Sequence, residues 1–456
     1  MADLHVPINR EKGGIAGQIA SHLRDSVRHG RLAPGTRLPA TRDLAADLSV
    51  SRGVVVEAYE QLVAEGFLVS RVGAGTQVAA TAAHRAEPSP VQEGAPYYGH
   101  RPTSPDLGFF PRERWLAAIR HVLATMPGDA LDYGDPGGVP ELREELAGYL
   151  RRVRAADVRP DNLVVVGGVA QGLSLVLRVL AGAGRLRLAV EDPGSHRQLP
   201  LLRRAGADPV PVPVDGEGLD VTALRDRADA ALVTPAHQFP TGVVLSPARR
   251  AALMEWARDG DRVILEDDYD AEFRFDRDPV GCLQGLAPDR VILSGSVSKA
   301  LAPGLRLGWV VAPARLAEAV RRARGELDLG SPVIEQYALA HFLRTGGYDR
   351  HLRRMRREYR RRRDALVESL ARELPEVRVL GIEAGLHVYL ELPRGWDEDR
   401  MAAAARKLGL VAEPVGRMRF GAGPPAVVAG FARLPARRAA ETIQGLKVLM
   451  SGQIEI

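Results

Sequence analysis

Lys299 is the residue in this sequence best suited to covalent chemistry. It lies in residues 291–309, VILSGSVSKALAPGLRLGW, and is one of only four lysines in an arginine-rich chain. A desolvated lysine can lose its proton and form a Schiff base with an aldehyde, which an arginine cannot do. Ser296, Ser298 and Arg306 add hydroxyls and a cation suited to a phosphate. This set suits pyridoxal 5'-phosphate (PLP), and a solvated loop lysine is the alternative interpretation.

A carboxylate and a phenol occur upstream in residues 262–275, RVILEDDYDAEFRF. The apolar RVIL predicts a strand, and ligands bind beyond the carboxyl ends of such strands in open α/β sheets. PLP needs a carboxylate that keeps its pyridine nitrogen protonated. Asp267 fits that role, and Tyr269 fits a bond to the ring hydroxyl. Taken alone, the acidic cluster also suits a helix N-cap or a metal site.

Three segments together resemble one known family. SGSVSKALAPGLRLGW, EDDYDAEFRF and TPAHQFPTG (residues 234–242) closely resemble the MocR-type regulators, which are GntR-family DNA-binding domains fused to a fold-type-I aminotransferase-like domain. The resemblance covers nearly the whole chain. It implies a homodimer that binds operator DNA and PLP.

Composition narrows the class of protein. The chain has 456 residues, enough for two or three domains, and its net charge of +5 gives no general signal for a polyanion partner. No run of eighteen apolar residues is present, and the first residues have no apolar signal core, so we expect neither membrane insertion nor secretion. The single cysteine, Cys282, excludes an internal disulfide framework and suits a reducing cytoplasm.

Residues 8–79 predict a winged helix-turn-helix. A four-residue apolar step in residues 14–28 indicates an amphipathic helix. A short helix from Thr41 to Asp47 and a longer one ending at Glu65 follow, with Thr41 and Ser49 or Ser51 as caps. FLVS and TQVA around the glycine-rich turn GAG predict a hairpin. The order of elements, and GTRLPATRDLA in particular, resembles the GntR winged helix.

The resemblance implies which residues of this module face DNA. The module is near neutral, so DNA binding depends on the positions of individual residues and not on net charge. Arg52 is the candidate for base readout through bidentate bonds to guanine, and Arg37 for phosphate contact. The full set of candidates is Arg37, Arg42, Ser51, Arg52, Gly53 and Gly75. A helix-turn-helix that only packs against a protein partner is the alternative.

The remainder of the chain predicts a linker and an α/β domain. Residues 80–103 are rich in Ala and Pro without a period, which is typical of a tether. The α/β domain spans residues 104–456, and within it apolar strands alternate with amphipathic helices from Asn162 to Pro313, which predicts a mostly parallel sheet. The resemblance adds a smaller α+β subdomain at the C-terminus.

Further site residues follow from the resemblance. Gly168, Val169 and Ala170 lie at a strand-to-helix junction and match the family's phosphate cup, where backbone N–H groups bind an anion. Tyr133 matches a tyrosine that reaches the partner subunit's cofactor phosphate, and a core or surface tyrosine is the alternative. Arg197 matches a carboxylate-binding arginine in some members, so it is the candidate for effector binding. No metal site is predicted.

Two departures from the aminotransferase pattern bear on function. TPAHQFPTG lacks the asparagine that contacts the cofactor hydroxyl, so His237, Gln238 or Phe239 must stand in. Val428 occupies the place of the arginine that clamps the substrate carboxylate, a contact that is hard to replace. We therefore expect a regulator with little or no turnover that senses PLP or an amine through a Schiff base on Lys299. An active class I/II aminotransferase with an accessory DNA-binding domain is the alternative.

One helix carries an unusual charge. The stretch YDRHLRRMRREYRRRRDAL holds nine arginines between Arg350 and Arg363. Apolar residues at helical spacing predict that one stripe of this helix faces inward. A solvated charged helix is one interpretation, and a surface that follows DNA phosphates is the other.

Overall fold

The computed structural model describes residues 6–71, 75–80, 101–182, 184–275 and 280–451. The chain divides into two compact units between Tyr97 and Tyr98. The predicted linker, residues 80–103, lies mostly outside the described residues. Among the described residues, no helix is long and apolar enough to cross a membrane.

The first unit has three helices and a hairpin. They are α1 (Ile15–Arg28), α2 (Thr41–Asp47), α3 (Arg52–Ala64), β1 (Leu68–Arg71) and β2 (Gly75–Val78), with the two strands antiparallel. The apolar faces of α1 and α3 meet, and Ile19, Leu23, Val55 and Leu62 are fully buried. The predicted winged helix-turn-helix is confirmed.

The two predicted helix caps do not form as side-chain caps. Thr41 is the first residue of α2, after the N-cap residue Ala40, and its hydroxyl oxygen instead accepts a bond of 3.3 Å from Arg52 Nε. Ser51 does occupy the N-cap position of α3, but its side chain makes no capping hydrogen bond. The Thr41–Arg52 hydrogen bond thus links the two helices at the surface predicted to face DNA, while their apolar faces share one core.

The second unit is built on an eight-stranded sheet with the order β3-β10-β9-β8-β7-β4-β5-β6. Its strands are β3 (Leu163–Val166), β4 (Leu186–Asp192), β5 (Ala207–Asp215), β6 (Gly218–Leu219), β7 (Ala230–Val233), β8 (Val263–Asp267), β9 (Val291–Ser296) and β10 (Gly308–Val311). Six strands run in one direction, while β10 and the short β6 run against their neighbours. The predicted, mostly parallel sheet is confirmed.

The central strands are apolar along their whole length because both faces of the sheet are covered. Every residue of β8 and β9 is buried. Successive residues of one strand enter different apolar clusters: Leu232 packs in one, while Ala231 and Val233 pack in another.

Helices form the layers that cover the two faces of the sheet. Those of this unit are α4 (Arg112–Thr125), α5 (Pro140–Arg154), α6 (Val169–Ala181), α7 (Leu199–Arg204), α8 (Pro247–Asp259), α9 (Ala314–Asp328), α10 (Val333–Arg344), α11 (Gly347–Glu373), α12 (Glu398–Lys407) and α13 (Ala439–Ser451).

A smaller antiparallel sheet lies towards the C-terminus, as predicted. Its strands are β11 (Arg378–Leu380), β12 (His387–Glu391), β13 (Val411–Pro414) and β14 (Ala426–Gly430), in the order β11-β12-β14-β13. The segment that ends the predicted linker packs against this sheet. A Cβ on Gly430 would lie 2.3 Å from the carbonyl oxygen of Pro102, so only a glycine admits that segment here.

Parallel strands place the predicted site residues together. The carboxyl ends of β3, β4, β7, β8 and β9 lie along one edge of the sheet. At or just after these ends lie residues 167–170, 194–198, 234, 267–269 and 296–299. Ligand sites of open α/β sheets occupy this edge.

Substitution of Gly308 can test how closely the strands pack at this edge of the sheet. A Cβ on Gly308 would lie 2.8 Å from the Gly295 carbonyl oxygen and 2.9 Å from Gly168 Cα, and neither backbone atom can turn aside as a side chain does. We expect Gly308→Ala to lower the free energy of unfolding by about 1–3 kcal/mol, measured by urea denaturation. Gly148→Ala is the control, because Gly148 lies in α5 with open space around it, and alanine there should stabilise slightly. An unchanged urea midpoint for Gly308→Ala would contradict this close approach.

Candidate functional site

A cavity of about 320 Å³ lies at the carboxyl edge of the large sheet. It brings together most of the residues predicted to bind PLP and the effector. Those that line it are Val169, Ala170, Arg197, Asp267, Tyr269, Ser296, Ser298, Lys299 and Arg306. Apolar side chains such as Leu202, Leu232 and Phe239 form much of the remaining wall.

Lys299 follows β9 and is held in the cavity as a weak base. Its Nζ donates a hydrogen bond of 3.2 Å to Thr103 Oγ1. Burial lowers the pKa of Lys299 to about 8, against an opposing effect from the carboxylate of Asp270, while Arg101 lowers it further. A substantial fraction of the amine is therefore neutral near physiological pH, the form that attacks an aldehyde.

Asp267 ends β8 and is buried against the cavity. Burial raises its pKa to about 7, an effect that a 3.4 Å bond from Gln198 Nε2 to Oδ2 opposes. Among the described residues its other oxygen, Oδ1, has no hydrogen-bond partner. A buried acceptor without a donor is costly, so this atom is suited to an N–H group supplied by a ligand.

The junction between β3 and α6 forms an anion-binding corner. Gly168 is the N-cap residue of α6 with φ of 103°. The Gln171 and Gly172 N–H groups donate to the Gly168 carbonyl, which leaves those of Val169 and Ala170 at the helix N-terminus to bind an anion. The Arg306 guanidinium packs on this glycine, since a Cβ there would lie 3.0 Å from Arg306 Nη2, and it donates to the Gly167 carbonyl. The Gly167 N–H donates to Gln171 Oε1 at 2.6 Å, a partner that the sequence did not point out.

The two predicted serines lie beside this corner. Ser296 is the last residue of β9, and its Oγ accepts a 3.4 Å bond from the Ser298 N–H. Both hydroxyls line the cavity. The helix N-terminus, two hydroxyls and one guanidinium thus converge as a phosphate site would require.

Tyr269 lies beside His237, one of the three residues predicted to stand in for the missing asparagine. The phenol oxygen is 3.1 Å from His237 Nδ1. Gln238 is engaged elsewhere, since its Nε2 bonds Glu191 at 3.2 Å and the Pro193 carbonyl at 2.9 Å. Burial raises the pKa of Glu191, which also lines the cavity, to about 7.

Tyr133 and Arg197 differ in their surroundings from the other predicted site residues. Tyr133 is 83 % exposed and does not line the cavity of its own chain. Its predicted role at a partner subunit's cofactor stays a prediction. Arg197 does line the cavity, but its Nη2 is 3.0 Å from Glu413 Oε1. An effector carboxylate would have to compete with that ion pair.

Several cavity residues were missed by sequence reasoning because they come from distant parts of the chain. Thr103 belongs to the predicted linker, Gln198 follows β4, and Glu413, Met418 and Arg419 come from the small C-terminal sheet and its loops. Loop positions with ordinary residue types give no local signal. Only Gln198, a few residues beyond a strand's carboxyl end, could have been found from its position.

The absence of a carboxylate clamp at Val428 is consistent with the packing around it. Val428 is fully buried in β14, in an apolar cluster with Tyr389, Val415 and Met418. The nearby Arg433 does not line the cavity, and its Nε donates to the Pro105 carbonyl at 3.0 Å.

The six predicted DNA-contacting residues all lie on the surface of the first unit. Arg37, Arg42, Ser51, Arg52, Gly53 and Gly75 are exposed. The Arg37 guanidinium lies against the base of the wing, because a Cβ on Gly75 would be 3.2 Å from Arg37 Nε. Residues 72–74, the tip of the predicted wing, lie outside the described residues.

The nine arginines of α11 are of three kinds. Arg361, Arg362 and Arg363 form ion pairs with Glu358, Asp106 or Asp364. Arg356 is half-buried, and its Nε donates to the Glu272 carbonyl. The others are exposed and make no ion pair with a described residue: Arg350, Arg353, Arg354, Arg357 and Arg360. The predicted inward stripe is present, since Leu352, Met355 and Tyr359 are buried. Both interpretations of the charged face remain compatible with this arrangement.

Comparison with known proteins agrees with this architecture. The family described as aminotransferase class I and II matches residues 105–444, and the family of bacterial regulatory proteins, gntR family, matches residues 15–78. The HTH-type pyridoxine biosynthesis transcriptional regulator PdxR of Corynebacterium glutamicum is 36% identical over 90% of this chain and 91% of its own. The chain belongs to the MocR-type regulators. The probable rhizopine catabolism regulatory protein MocR of Rhizobium meliloti is 32% identical over 98% of this chain and 94% of its own.

Solved structures give the same fold for the second unit of this MocR-type regulator. An archaeal alanine:glyoxylate aminotransferase has a TM-score of 0.70 and 28% identity, covering 77% of this chain and 90% of its own. The α-aminoadipate aminotransferase LysN from Thermus thermophilus has a TM-score of 0.69 and 28% identity, covering 77% and 91%. LysN was solved with N-(5'-phosphopyridoxyl)-L-leucine.

The residues of this cavity fit PLP, the cofactor of the class I and II aminotransferase family. The unpartnered Asp267 Oδ1 offers an acceptor for a pyridine N–H. The α6 N-terminus with Ser296, Ser298 and Arg306 offers a phosphate site, and the weakly basic Lys299 offers a nucleophile for the aldehyde.

The basicity of Lys299 is open to direct test. We expect the rate at which apo-protein captures PLP to rise with pH and to level off above about 8, because the neutral amine is the reactive form and burial lowers its pKa to about 8. Stopped-flow absorbance measures the rate. The rate at which a small ε-amino compound reacts with PLP, measured over the same pH range, corrects for the ionisation of the cofactor itself. Lys299→Ala should show no covalent capture. A rate that continues to climb towards pH 10.5, the ordinary lysine value, would contradict burial as the cause.

Proposed function

We propose that this protein is a cytoplasmic, homodimeric transcriptional regulator that binds operator DNA through its first unit and PLP through its second. Lys299 would hold the cofactor covalently, and the effector is PLP itself or an amine that reacts with the bound cofactor. The observation that carries this proposal is the joining, in one chain, of an exposed helix-turn-helix surface and a cavity whose residues fit PLP.

Each cavity residue would have a defined task. Asp267 would keep the pyridine nitrogen protonated, and Tyr269 would donate to the ring hydroxyl. Ser296, Ser298 and Arg306, with the backbone of residues 168–170, would hold the phosphate. The bound cofactor supplies an electrophilic carbon that an amine can attack.

Regulation would follow from a difference in effector affinity between two arrangements of the protein. A ligand shifts such an equilibrium only by as much as it prefers one arrangement. Relatives with the names pyridoxine biosynthesis regulator and rhizopine catabolism regulatory protein suggest two classes of signal, a B6 vitamer or an amino compound.

The packing at Val428 argues against a working aminotransferase as the main role. A fully buried valine in an apolar cluster leaves no guanidinium at that place to fix a substrate carboxylate. Arg197, the other candidate, is already paired with Glu413. We therefore expect weak or no turnover, and multiple-turnover formation of keto acids from common amino acids would contradict the regulator proposal.

The proposal predicts that DNA binding responds to the cofactor. In a mobility-shift assay on the DNA upstream of its own gene, we expect PLP to alter the affinity of the wild-type protein by about fivefold or more, the usual size of such coupling. Lys299→Ala should still bind DNA but should not respond to PLP, because covalent capture is lost.

The other outcomes are informative in different ways. A shift that is insensitive to PLP would make an amine the signal, to be screened on the cofactor-loaded protein. Failure to bind any upstream DNA, together with measurable turnover, would overturn the regulator proposal in favour of the enzyme.

The surface of the first unit predicts different roles for two arginines. Arg52 begins the exposed end of α3, so Arg52→Ala should cost about 1–3 kcal/mol on the cognate operator and relax specificity at one base pair. Arg37 lies beside the wing, so Arg37→Ala should weaken binding to all sequences alike and reduce the salt dependence by about one ion.

These two effects are separated by measuring affinity on cognate and scrambled duplexes over a range of salt concentrations. Arg24→Ala is the matched control, since Arg24 is already paired with Glu65 at 2.6 Å within the first unit. If Arg52→Ala reduces both affinities equally, its proposed role in base readout is wrong.

A further inference from the structure

A buried histidine and aspartate lie directly behind the phenol of Tyr269. His237 Nδ1 is 3.1 Å from the Tyr269 oxygen, and it is 3.0 Å from Asp270 Oδ2 and 3.2 Å from Oδ1. His237 and Asp270 are 4 % and 1 % exposed. Neither residue lines the cavity, whereas Tyr269 does. The pair can therefore form hydrogen bonds towards the cavity only through the phenol, while the charge of Asp270 also acts on Lys299.

The chemistry of the three groups fixes the direction of their hydrogen bonds. A carboxylate only accepts, so the proton between His237 and Asp270 belongs to His237 Nδ1. An Nδ1 that carries a proton cannot accept one from the phenol. It can only donate, shared between Asp270 and the Tyr269 oxygen. The single phenol proton then points away from His237, where it can go to the Asp270 carboxylate or to a ligand in the cavity.

We propose that His237 and Asp270 are positioning residues which hold Tyr269 so that its O–H donates into the cavity, to the ring oxygen of the bound cofactor. This inference rests on the proposed function and deepens it, because it assigns the control of the cofactor's protonation to residues that do not touch it. In this chain His237 thereby takes the place of the asparagine missing from TPAHQFPTG.

The surroundings favour a phenol that stays protonated. Burial, and next the carboxylate of Asp270, raise the pKa of Tyr269 well above its usual value, and Asp267 and Glu191 act in the same direction. A protonated phenol remains available as a donor throughout the range in which Lys299 titrates.

His387 completes the polar groups around His237. Its ring lies 5.0 Å from that of His237, and its Nε2 is 3.2 Å from the Pro240 carbonyl. Burial lowers the pKa of His387 well below its usual value, and the neighbouring His237 and Lys299 contribute, so this ring is neutral. Thus Asp270 is the only described group in hydrogen-bonding contact with His237 that brings a negative charge.

The ionisation of the bound cofactor, followed by its absorbance as a function of pH, reports this contact. A donor to the ring oxygen stabilises the oxygen's anionic form and so lowers the pKa of the proton shared with the lysine nitrogen. We expect Tyr269→Phe and His237→Ala both to raise that pKa, the first by about one pH unit or more and the second by a smaller amount. His237→Asn should restore most of the wild-type value, because the asparagine side-chain nitrogen is as many bonds from the backbone as Nδ1 and has two N–H groups to donate.

A double variant separates positioning through Tyr269 from a general effect on the fold. If His237 acts through the phenol, His237→Ala combined with Tyr269→Phe should titrate like Tyr269→Phe alone. Additive shifts, or a titration of His237→Ala that equals the wild type, would overturn the proposal. His387→Asn is the matched control, since it makes the same change one ring away without a bond to Tyr269, and we expect it to titrate like the wild type.

A metal centre is the competing account of these residues, and the same proteins test it. The ligand atoms of His237, Asp270 and His387 lie within 4.8 Å of one another. The positioning role would be overturned if the purified protein contains stoichiometric zinc that is lost equally in His237→Asn and His387→Asn. It is supported if the protein contains no metal and His387→Asn titrates like the wild type. Failure of the proposed function is distinct: without cofactor binding the wild-type protein would show no cofactor absorbance at all, and without regulation the mobility-shift assay would fail while these titrations stayed unchanged.

Discussion

The structure of the candidate site depends on one geometric constraint: parallel strands have their carboxyl ends at the same edge of a sheet. β3, β4, β7, β8 and β9 all end there, and each contributes residues to one cavity. Helices cover both faces, so the strands must be apolar along their length, and polar side chains are confined to the strand ends. Close backbone contacts through glycines, such as Gly308 against Gly168, keep this edge compact.

Desolvation then determines the chemistry of the cavity. Burial raises the pKa of Asp267 and of Glu191 to about 7, and it lowers that of Lys299 to about 8. Each group is thus held near the pH at which its charge changes, and Asp267 Oδ1 has no hydrogen-bond partner among the described residues. A cationic ring nitrogen would supply that partner, an aldehyde would react with Lys299, and a phosphate would fit the corner beside Gly168. The same argument applies to Tyr269, since burial and next the carboxylate of Asp270 raise the pKa of its phenol well above the usual value.

How much of this could be predicted depended on whether the residue types were unusual at their positions. Lys299 could be predicted because the chain otherwise uses arginine, and Asp267 because it lies in an acidic cluster after an apolar strand; both line the cavity. Thr103 and Gln198 could not be predicted, because a threonine in a tether and a glutamine in a loop are common residue types at such positions. The sequence shows that the asparagine is absent from TPAHQFPTG, but His237, Gln238 and Phe239 are equally good candidates to replace it. Which of them reaches Tyr269 depends on the direction of side chains, and that is fixed by packing.

The sequence by itself determined the division into a DNA-binding module and an α/β domain, the order of their elements and the motifs that belong to the cofactor, because periodicity and residue type are local properties. The tertiary structure decided which of those residues share one cavity. It also decided that Arg197 pairs with Glu413, that Gln238 bonds Glu191, and that His237 lies within hydrogen-bonding distance of both Asp270 and the Tyr269 phenol. These are contacts between residues up to more than two hundred positions apart. They arise only when strand order and register bring the segments together, and burial then makes each unpaired polar atom costly enough to fix its partner.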